Sequence, residues 1–362
     1  MTDVAANAGE SQRADVSRRN GAGPGTKALV KRLGLRLVGT DALSIRRRRR
    51  GKGWSYLDAD GRVIRDSMTV RRLAQLAVPP AYENVLYARD PAAHLQAVGR
   101  DAAGRLQYRY HRDWEKVREL RKARRLARLA DVLPRIHRSV GQHLAAAEPT
   151  RELTSAAVIE LVARSAIRSG SESYARLRGT RGAATLLKSN VEVYGETITL
   201  TFRAKGGKTI VKEFTAPRLA AVIAKLWQLP GRRLFQYRSE SGEVRRVTAR
   251  EVNAFLREIA GARISLKDFR TLLASASALE ALACTVPAAK EGQRRKQVLE
   301  AVRAVADDLA NTPAICRKSY VHGTVVAAFE DGVLERFART LKSCRSATRR
   351  AQVLAQIIAA AA

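Results

Sequence analysis

The chain has 362 residues and a net charge of +33, from 67 Lys and Arg against 34 Asp and Glu. That length suits two domains, and the charge calls for a polyanionic partner, nucleic acid before an anionic membrane surface. No long apolar span or signal-peptide pattern appears, and three widely spaced cysteines, Cys284, Cys316 and Cys344, suit free thiols in a reducing compartment and argue against a zinc cluster.

Residues 1–26 read as a disordered basic tail, biased to Gly, Ala and Arg with no period. The five-arginine run Arg46 to Arg50 reads as a solvated basic loop or as a phosphate contact. From Gly53 to Tyr110 the signals are strands and turns. Trp54 to Leu57 is a short β-rich run, Asp58-Ala59-Asp60-Gly61 a hairpin turn, and Arg62 to Arg65 the returning strand. One helix is predicted near Thr69 to Leu76. Val78-Pro79-Pro80-Ala81-Tyr82 breaks any helix. His94 to Arg100 and Leu106 to Tyr110 flank a second hairpin turn, Asp101 to Arg105. Residues 27–112 are therefore predicted to form a small antiparallel β-rich domain.

The composition then turns helical. Glu115 to Leu129 is predicted helical, Leu133 to Ala147 continues after Pro134, and Leu153 to Arg168 carries apolar residues at helical spacing. A three-stranded meander interrupts, over Ser189 to Val193, Thr197 to Phe202 and Thr209 to Phe214. Helices resume over Arg218 to Leu229, Ala249 to Ala260, Leu266 to Ala283 and Arg294 to Ala310, the last with Val298, Val302, Val305 and Leu309 on one face. The fold class predicted is α+β: a β-rich domain, a larger mainly helical domain over 113–332 holding the three-stranded sheet, and a helical tail over 333–362.

Several residues in the larger domain carry chemistry. Tyr320 follows Asn311-Thr312-Pro313-Ala314-Ile315-Cys316-Arg317-Lys318-Ser319; Arg168 lies in Ile167-Arg168-Ser169-Gly170; Lys205 in Phe202-Arg203-Ala204-Lys205-Gly206-Gly207-Lys208; and Arg270 in Lys267-Asp268-Phe269-Arg270-Thr271. A tyrosine can form a covalent ester with a phosphate, arginines grip non-bridging oxygens, and a lysine can protonate a departing hydroxyl. Together they can attack a phosphodiester without metal. Each residue also has an ordinary reading: Tyr320 as a packed aromatic, Asn311 as the cap of the Pro313 helix, Lys205 as an exposed turn lysine, Arg168 as a partner of a helix C-terminus, and Arg270 as paired to Asp268 or another acid.

The order and spacing of these segments resemble the type IB DNA topoisomerases, in particular the small poxvirus-like branch found in bacteria. The resemblance runs from about Gly51 to Gly332 and includes Gly51-Lys52-Gly53-Trp54-Ser55-Tyr56, Ala77 to Tyr82, His94 to Asp101 and Gly104 to His111. It departs from the family at Ser169-Gly170-Ser171, where Val-Gly-Asn is common after the arginine. It departs again at Leu272 and Leu273, where a Trp and small residues often stand.

The resemblance implies a tyrosine recombinase-like catalytic fold with Tyr320 as nucleophile, Arg168 and Arg270 on the phosphate, Lys205 as general acid and Asn311 in place of a phosphate-binding histidine. It implies DNA contacts by Gln107, Tyr108 and Tyr110, while Arg317 and Lys318 add positive potential beside the tyrosine. The expected partner is double-stranded DNA, closed around by two lobes, with no cofactor, no metal and no membrane. The protein is expected to act as a monomer in the cytoplasm, on the nucleoid. A tyrosine site-specific recombinase and a non-catalytic basic DNA-binding protein are the two other readings.

Overall fold

The computed structural model describes residues 24–344 and 346–360. The expected disordered tail falls almost wholly outside them, although a helix, α1 (Pro24–Arg32), already begins at residue 24. The chain divides into two compact units between Arg121 and Lys122.

The first unit is built on a five-stranded antiparallel sheet of β1 (Leu43–Arg50), β2 (Gly53–Leu57), β3 (Glu83–Ala88), β4 (Leu95–Arg100) and β5 (Leu106–Tyr110), in the order β2-β1-β3-β4-β5. One helix, α2 (Ser67–Gln75), is capped by Asp66, whose carboxylate accepts from Thr69 N at 2.8 Å. Its single fully buried residue, Leu73, joins Ile45, Tyr56, Val85, Tyr87 and Ala97 in one apolar cluster.

Two expectations for this unit are corrected. The arginine run is no loop: it is most of β1, paired throughout by β2 and at Arg46 also by β3. Alternation makes this possible, because successive side chains leave opposite faces of a strand. Arg47 lies 4.0 Å from the Trp54 ring centroid. Its guanidinium donates to the carbonyls of Val78, Pro79 and Tyr82 at 3.0, 2.8 and 2.7 Å. It is a staple holding the Val78–Tyr82 turn, while Arg46, Arg48, Arg49 and Arg50 are exposed. The predicted return strand over Arg62 to Arg65 is reduced to one bridge, Leu57 to Val63.

The boundary between the units falls inside α3 (Trp114–Leu144), a single helix that joins the two predicted helical stretches and runs through Pro134. Proline in a helix interior costs ~3 kcal/mol. The cost is met by burial along one stripe, Leu126, Leu129, Leu133, Ile136, Val140 and Leu144, all in the main core of the second unit.

That core gathers α4 (Arg151–Ser165), the sheet β6 (Val191–Tyr194), β7 (Thr197–Arg203) and β8 (Thr209–Thr215), and α6 (Pro217–Trp227), while α5 (Glu172–Arg178) contributes no residue to it. A two-stranded ribbon, β9 (Gln236–Arg238) with β10 (Val244–Arg246), follows. Then come α7 (Ala249–Ala260), α8 (Leu266–Ala283), α9 (Glu291–Asp308), α10 (Pro313–Ser319) and α11 (Gly323–Glu330). The end of the chain is broken where one helix over 334–362 is expected: a 3₁₀ turn (Val333–Phe337), α12 (Ala338–Lys342) and α13 (Ala347–Ala360). Ser346 ends the interruption, its hydroxyl accepting from Arg349 N at 3.3 Å. Val353, Leu354, Ile357 and Ile358 are buried in the main core.

Candidate active site

Arg168 sits on a tight loop just past α4. The helix stops because Ala166 takes a left-handed backbone, φ 53°, while its N–H still closes on Val162 O at 3.0 Å. A non-glycine residue there stores of order 1–2 kcal/mol of strain. The loop is fixed by Ala183 N donating to Arg168 O at 2.8 Å and Ala184 N to Ser169 O at 2.9 Å. Gly182 is required at this contact, since a Cβ there would lie 2.5 Å from Arg168 O. Arg168 therefore does not cap the helix C-terminus.

Arg270 is the fifth residue of α8 and is only 3% exposed. Asp268 is not its partner: that carboxylate completes a capping box, accepting from Ser265 N at 2.8 Å and Ser265 Oγ at 2.9 Å. Arg270 instead donates to the carbonyls of Ala166 and Leu309, tying the Arg168 loop to the end of α9. Its guanidinium carbon lies 5.0 Å from the Tyr320 ring centroid. Burial pulls the Arg270 pKa down.

Asn311 does not cap the following helix. Thr312 does, its hydroxyl accepting from Ile315 N at 3.3 Å, with Pro313 at the first helical position. Asn311 is thereby left to accept, through Oδ1, a hydrogen bond from Arg168 Nη2. Tyr320 ends α10, 8% exposed, with its N–H on Cys316 O at 2.9 Å. Burial raises the phenol pKa, but the charge and hydrogen bond of Arg270, with Arg168 and Lys267, outweigh it, and the net shift is downward from 10.0.

Arg168, Arg270, Asn311 and Tyr320 are thus gathered from four segments. Among the described residues, buried side-chain polar atoms without a partner include Arg168 Nη1, Arg270 Nε and Asn311 Nδ2. Buried donors are normally satisfied; these three lie on residues linked by the Arg168–Asn311 bond and by the Arg270 contact with the Tyr320 ring.

Lys205 is not drawn into this cluster. It is exposed at the tip of the β7–β8 hairpin, whose turn closes through Ala204 N on Lys208 O at 2.8 Å and Gly207 N on Ala204 O at 3.0 Å. The hairpin is nonetheless tied to the site from two sides. Arg181 N donates to Arg203 O at 2.7 Å, two residues before the Ala183 bond to Arg168, and Lys212 on β8 pairs with Asp308 at the end of α9. Arg317 and Lys318 are exposed on α10.

In the first unit, Gln107 Nε2 donates to Asp101 Oδ2 at 2.9 Å. The Asp101 carboxyl is held down to about 2 by Arg105, Gln107 and turn amides. Tyr108 and Tyr110 stack with centroids 6.2 Å apart, and Tyr110 stacks on Trp114 at 5.9 Å.

Two residues escape the sequence reading. Lys267 acts on the phenol's charge and already stands inside the Arg270 segment. Ser275 binds the backbone around Tyr320; it stands with Ser277 in the middle of α8, and nothing in the sequence marks 275 as the buried one of the two.

Residues 107–347, more than half of the chain, match the family model of the eukaryotic DNA topoisomerase I catalytic core. The chain belongs to that family and is a type I DNA topoisomerase. Residues 53–101 match the bacterial DNA topoisomerase IB N-terminal domain, which puts it in the type IB group, and the recombinase and plain DNA-binder readings give way. The DNA topoisomerase 1B of Acanthamoeba polyphaga mimivirus is 29% identical over 294 residues, covering 79% of this chain and 88% of the relative.

Among solved structures, the XerH site-specific recombinase bound to difH substrate in a pre-cleavage complex is matched at 12% identity and TM-score 0.33, over 55% of this chain and 50% of that one. Its post-cleavage complex with palindromic difH substrate is matched at 13% and 0.33, over 59% and 52%. The chain thus spans about half the length of these recombinase chains.

Proposed function

We propose that Tyr320 is the nucleophile of a reversible transesterification on duplex DNA. Its oxygen attacks a backbone phosphorus, the bond to the 5′ oxygen breaks, and a 3′-phosphotyrosyl ester forms. Lys205 gives the leaving 5′ oxygen its proton once DNA lies under the hairpin. Arg168 and Arg270 stabilise charge on the non-bridging oxygens, and Asn311 donates a further hydrogen bond. The ester conserves the energy of the phosphodiester, so no ATP is consumed. The two arginines supply the positive charge at phosphorus, so the chemistry needs no metal ion. The cut strand rotates, supercoils relax, and the 5′ hydroxyl returns the phosphorus to DNA.

The observation that carries this reading is the set of three buried, unpartnered donors beside the Tyr320 ring. A phosphoryl group would satisfy all three. Asn311 carries no charge, so proton donation rests on Lys205. Gln107, Tyr108 and Tyr110, with Arg317 and Lys318, are proposed to hold the duplex, mostly through phosphates. The protein would act as a monomer on the nucleoid. Incubation with supercoiled plasmid in EDTA tests the reading: relaxed topoisomers are expected, and DNA that is shifted but still supercoiled would overturn it.

A further inference from the structure

Ser275 is fully buried on α8 and makes two hydrogen bonds to a single turn of chain. Its hydroxyl donates to Tyr320 O at 2.9 Å and accepts from His322 N at 3.0 Å. On the other side of the tyrosine, Tyr320 N and Val321 N both close on Cys316 O, at 2.9 and 3.0 Å. Tyr320 itself has left the helical region, with φ −123° and ψ −45°. Val321, one residue on, is held by its bond to Cys316 and by Lys122 Nζ, which donates to its carbonyl at 3.1 Å. The Tyr320 carbonyl and the His322 amide are held by Ser275, which rides on the helix that carries Arg270, about 7.5 Å further along at 1.5 Å per residue.

We infer that Ser275 is a positioning residue, whose hydroxyl locks the backbone of Tyr320 to α8 so that the phenol stays in register with the Arg270 guanidinium. The two ends of the lock demand this chemistry. A carbonyl needs a donor and an amide N–H needs an acceptor, and in so small a space a hydroxyl supplies both. The neighbouring Leu272, Ala274, Ala278 and Leu279 are buried apolar residues, so a polar side chain at 275 has no packing reason to be there. Reacting atoms must be held near 3 Å and aligned. Without Ser275 the Tyr320 carbonyl itself loses its tie to α8, and the ring gains orientations away from Arg270.

The inference rests on Tyr320 being the nucleophile, and the test separates the two. Single-turnover formation of the covalent complex is measured for the full chain, alongside the DNA dissociation constant and the melting temperature. Tyr320→Phe must first be inert; a covalent complex from that variant would remove the reading on which Ser275 depends. Given that result, Ser275→Ala is expected to cleave at least about tenfold more slowly, because both backbone groups lose their partner. DNA affinity should stay within about twofold, since the lock does not touch DNA.

The 5′-bridging phosphorothiolate substrate should not restore the rate, because the defect lies at the attacking group and not at the leaving one. Ser275→Cys, which keeps the size and offers only a weak donor, is expected to fall in the same direction and carries the test if the alanine variant does not fold. Cleavage at the wild-type rate by a folded Ala or Cys variant, or a rate loss matched by an equal loss of DNA affinity, would overturn the inference.

Discussion

Replacing Arg270 by alanine should damage stability and chemistry together, and the structure gives both sizes. The guanidinium bridges two buried carbonyls, Ala166 and Leu309, and lies over the Tyr320 ring. Orphaning a buried acceptor costs about 1–3 kcal/mol, and the lost ring contact adds about 0.5–2 kcal/mol. Against this, the variant no longer buries a cation that has no carboxylate partner, a relief of several kcal/mol at most. The net expectation is a loss of roughly 1–3 kcal/mol. At about 2–4 °C per kcal/mol for a unit of this size, the catalytic unit should melt about 2–12 °C lower. Cleavage should fall by at least about 10²–10³-fold, as for loss of one preorganised donor. Arg168 is the comparison: among the described residues its side chain bonds one acceptor, Asn311 Oδ1, where Arg270 bonds two buried carbonyls, so Arg168→Ala should lose a similar factor in cleavage with a smaller drop in melting temperature. Calorimetry and single-turnover cleavage read both. An Arg270→Ala protein that melts with the wild type, or cleaves within tenfold of it, refutes the reasoning.

Other outcomes follow from the same geometry. Lys205→Ala should slow cleavage strongly, and a 5′-bridging phosphorothiolate, which leaves without an acid, should restore much of the rate; no restoration makes Lys205 a phosphate binder or a turn residue. Cleavage should rise with pH through a midpoint below 10.0, because Arg270, Arg168 and Lys267 together hold the Tyr320 phenol down against burial. Arg168→Ala should move that midpoint upward, and an unmoved midpoint would count against the charge argument. Since the phenol titrates lower folded than unfolded, it adds stability above 10.0 that is lost as pH falls through the folded value. Relaxation should pass through an optimum in salt, with slow product release at low salt and weak binding at high salt. Deleting residues 1–26, with Arg13, Arg18 and Arg19, should move the optimum to lower salt without changing single-turnover cleavage. An unmoved optimum would show that the tail does not hold DNA.

Much of the fold was legible because it is written in local period and punctuation. Ala249–Ala260 and Leu266–Ala283 have the ends that their apolar spacing and flanking Thr248, Gly261 and Ser265 dictate. The meander was legible from β-branched alternation between glycine turns. What was not legible is what depends on tertiary partners. Arg46 to Arg50 read as a loop until β2 pairs with the whole run, β3 with Arg46, and Trp54 receives Arg47. That one helix runs through Pro134 depends on six apolar residues on one stripe finding a core. In the site, the residue types could be named from sequence, but their pairings could not. That Thr312 and not Asn311 caps α10, and that Asp268 serves Ser265 and not Arg270, are choices between neighbours a few residues apart, decided by backbone geometry. Ser275 was invisible because its partners are backbone groups 45 and 47 residues away.

The most direct test of the account is to trap the protein on a DNA duplex in EDTA, denature it, digest it and locate the linked peptide. The account predicts a denaturation-resistant adduct carrying a 3′ phosphate on Tyr320, absent from Tyr320→Phe, which should still bind DNA. An adduct at another residue, an adduct that survives Tyr320→Phe, or one that forms only when magnesium is supplied would contradict it.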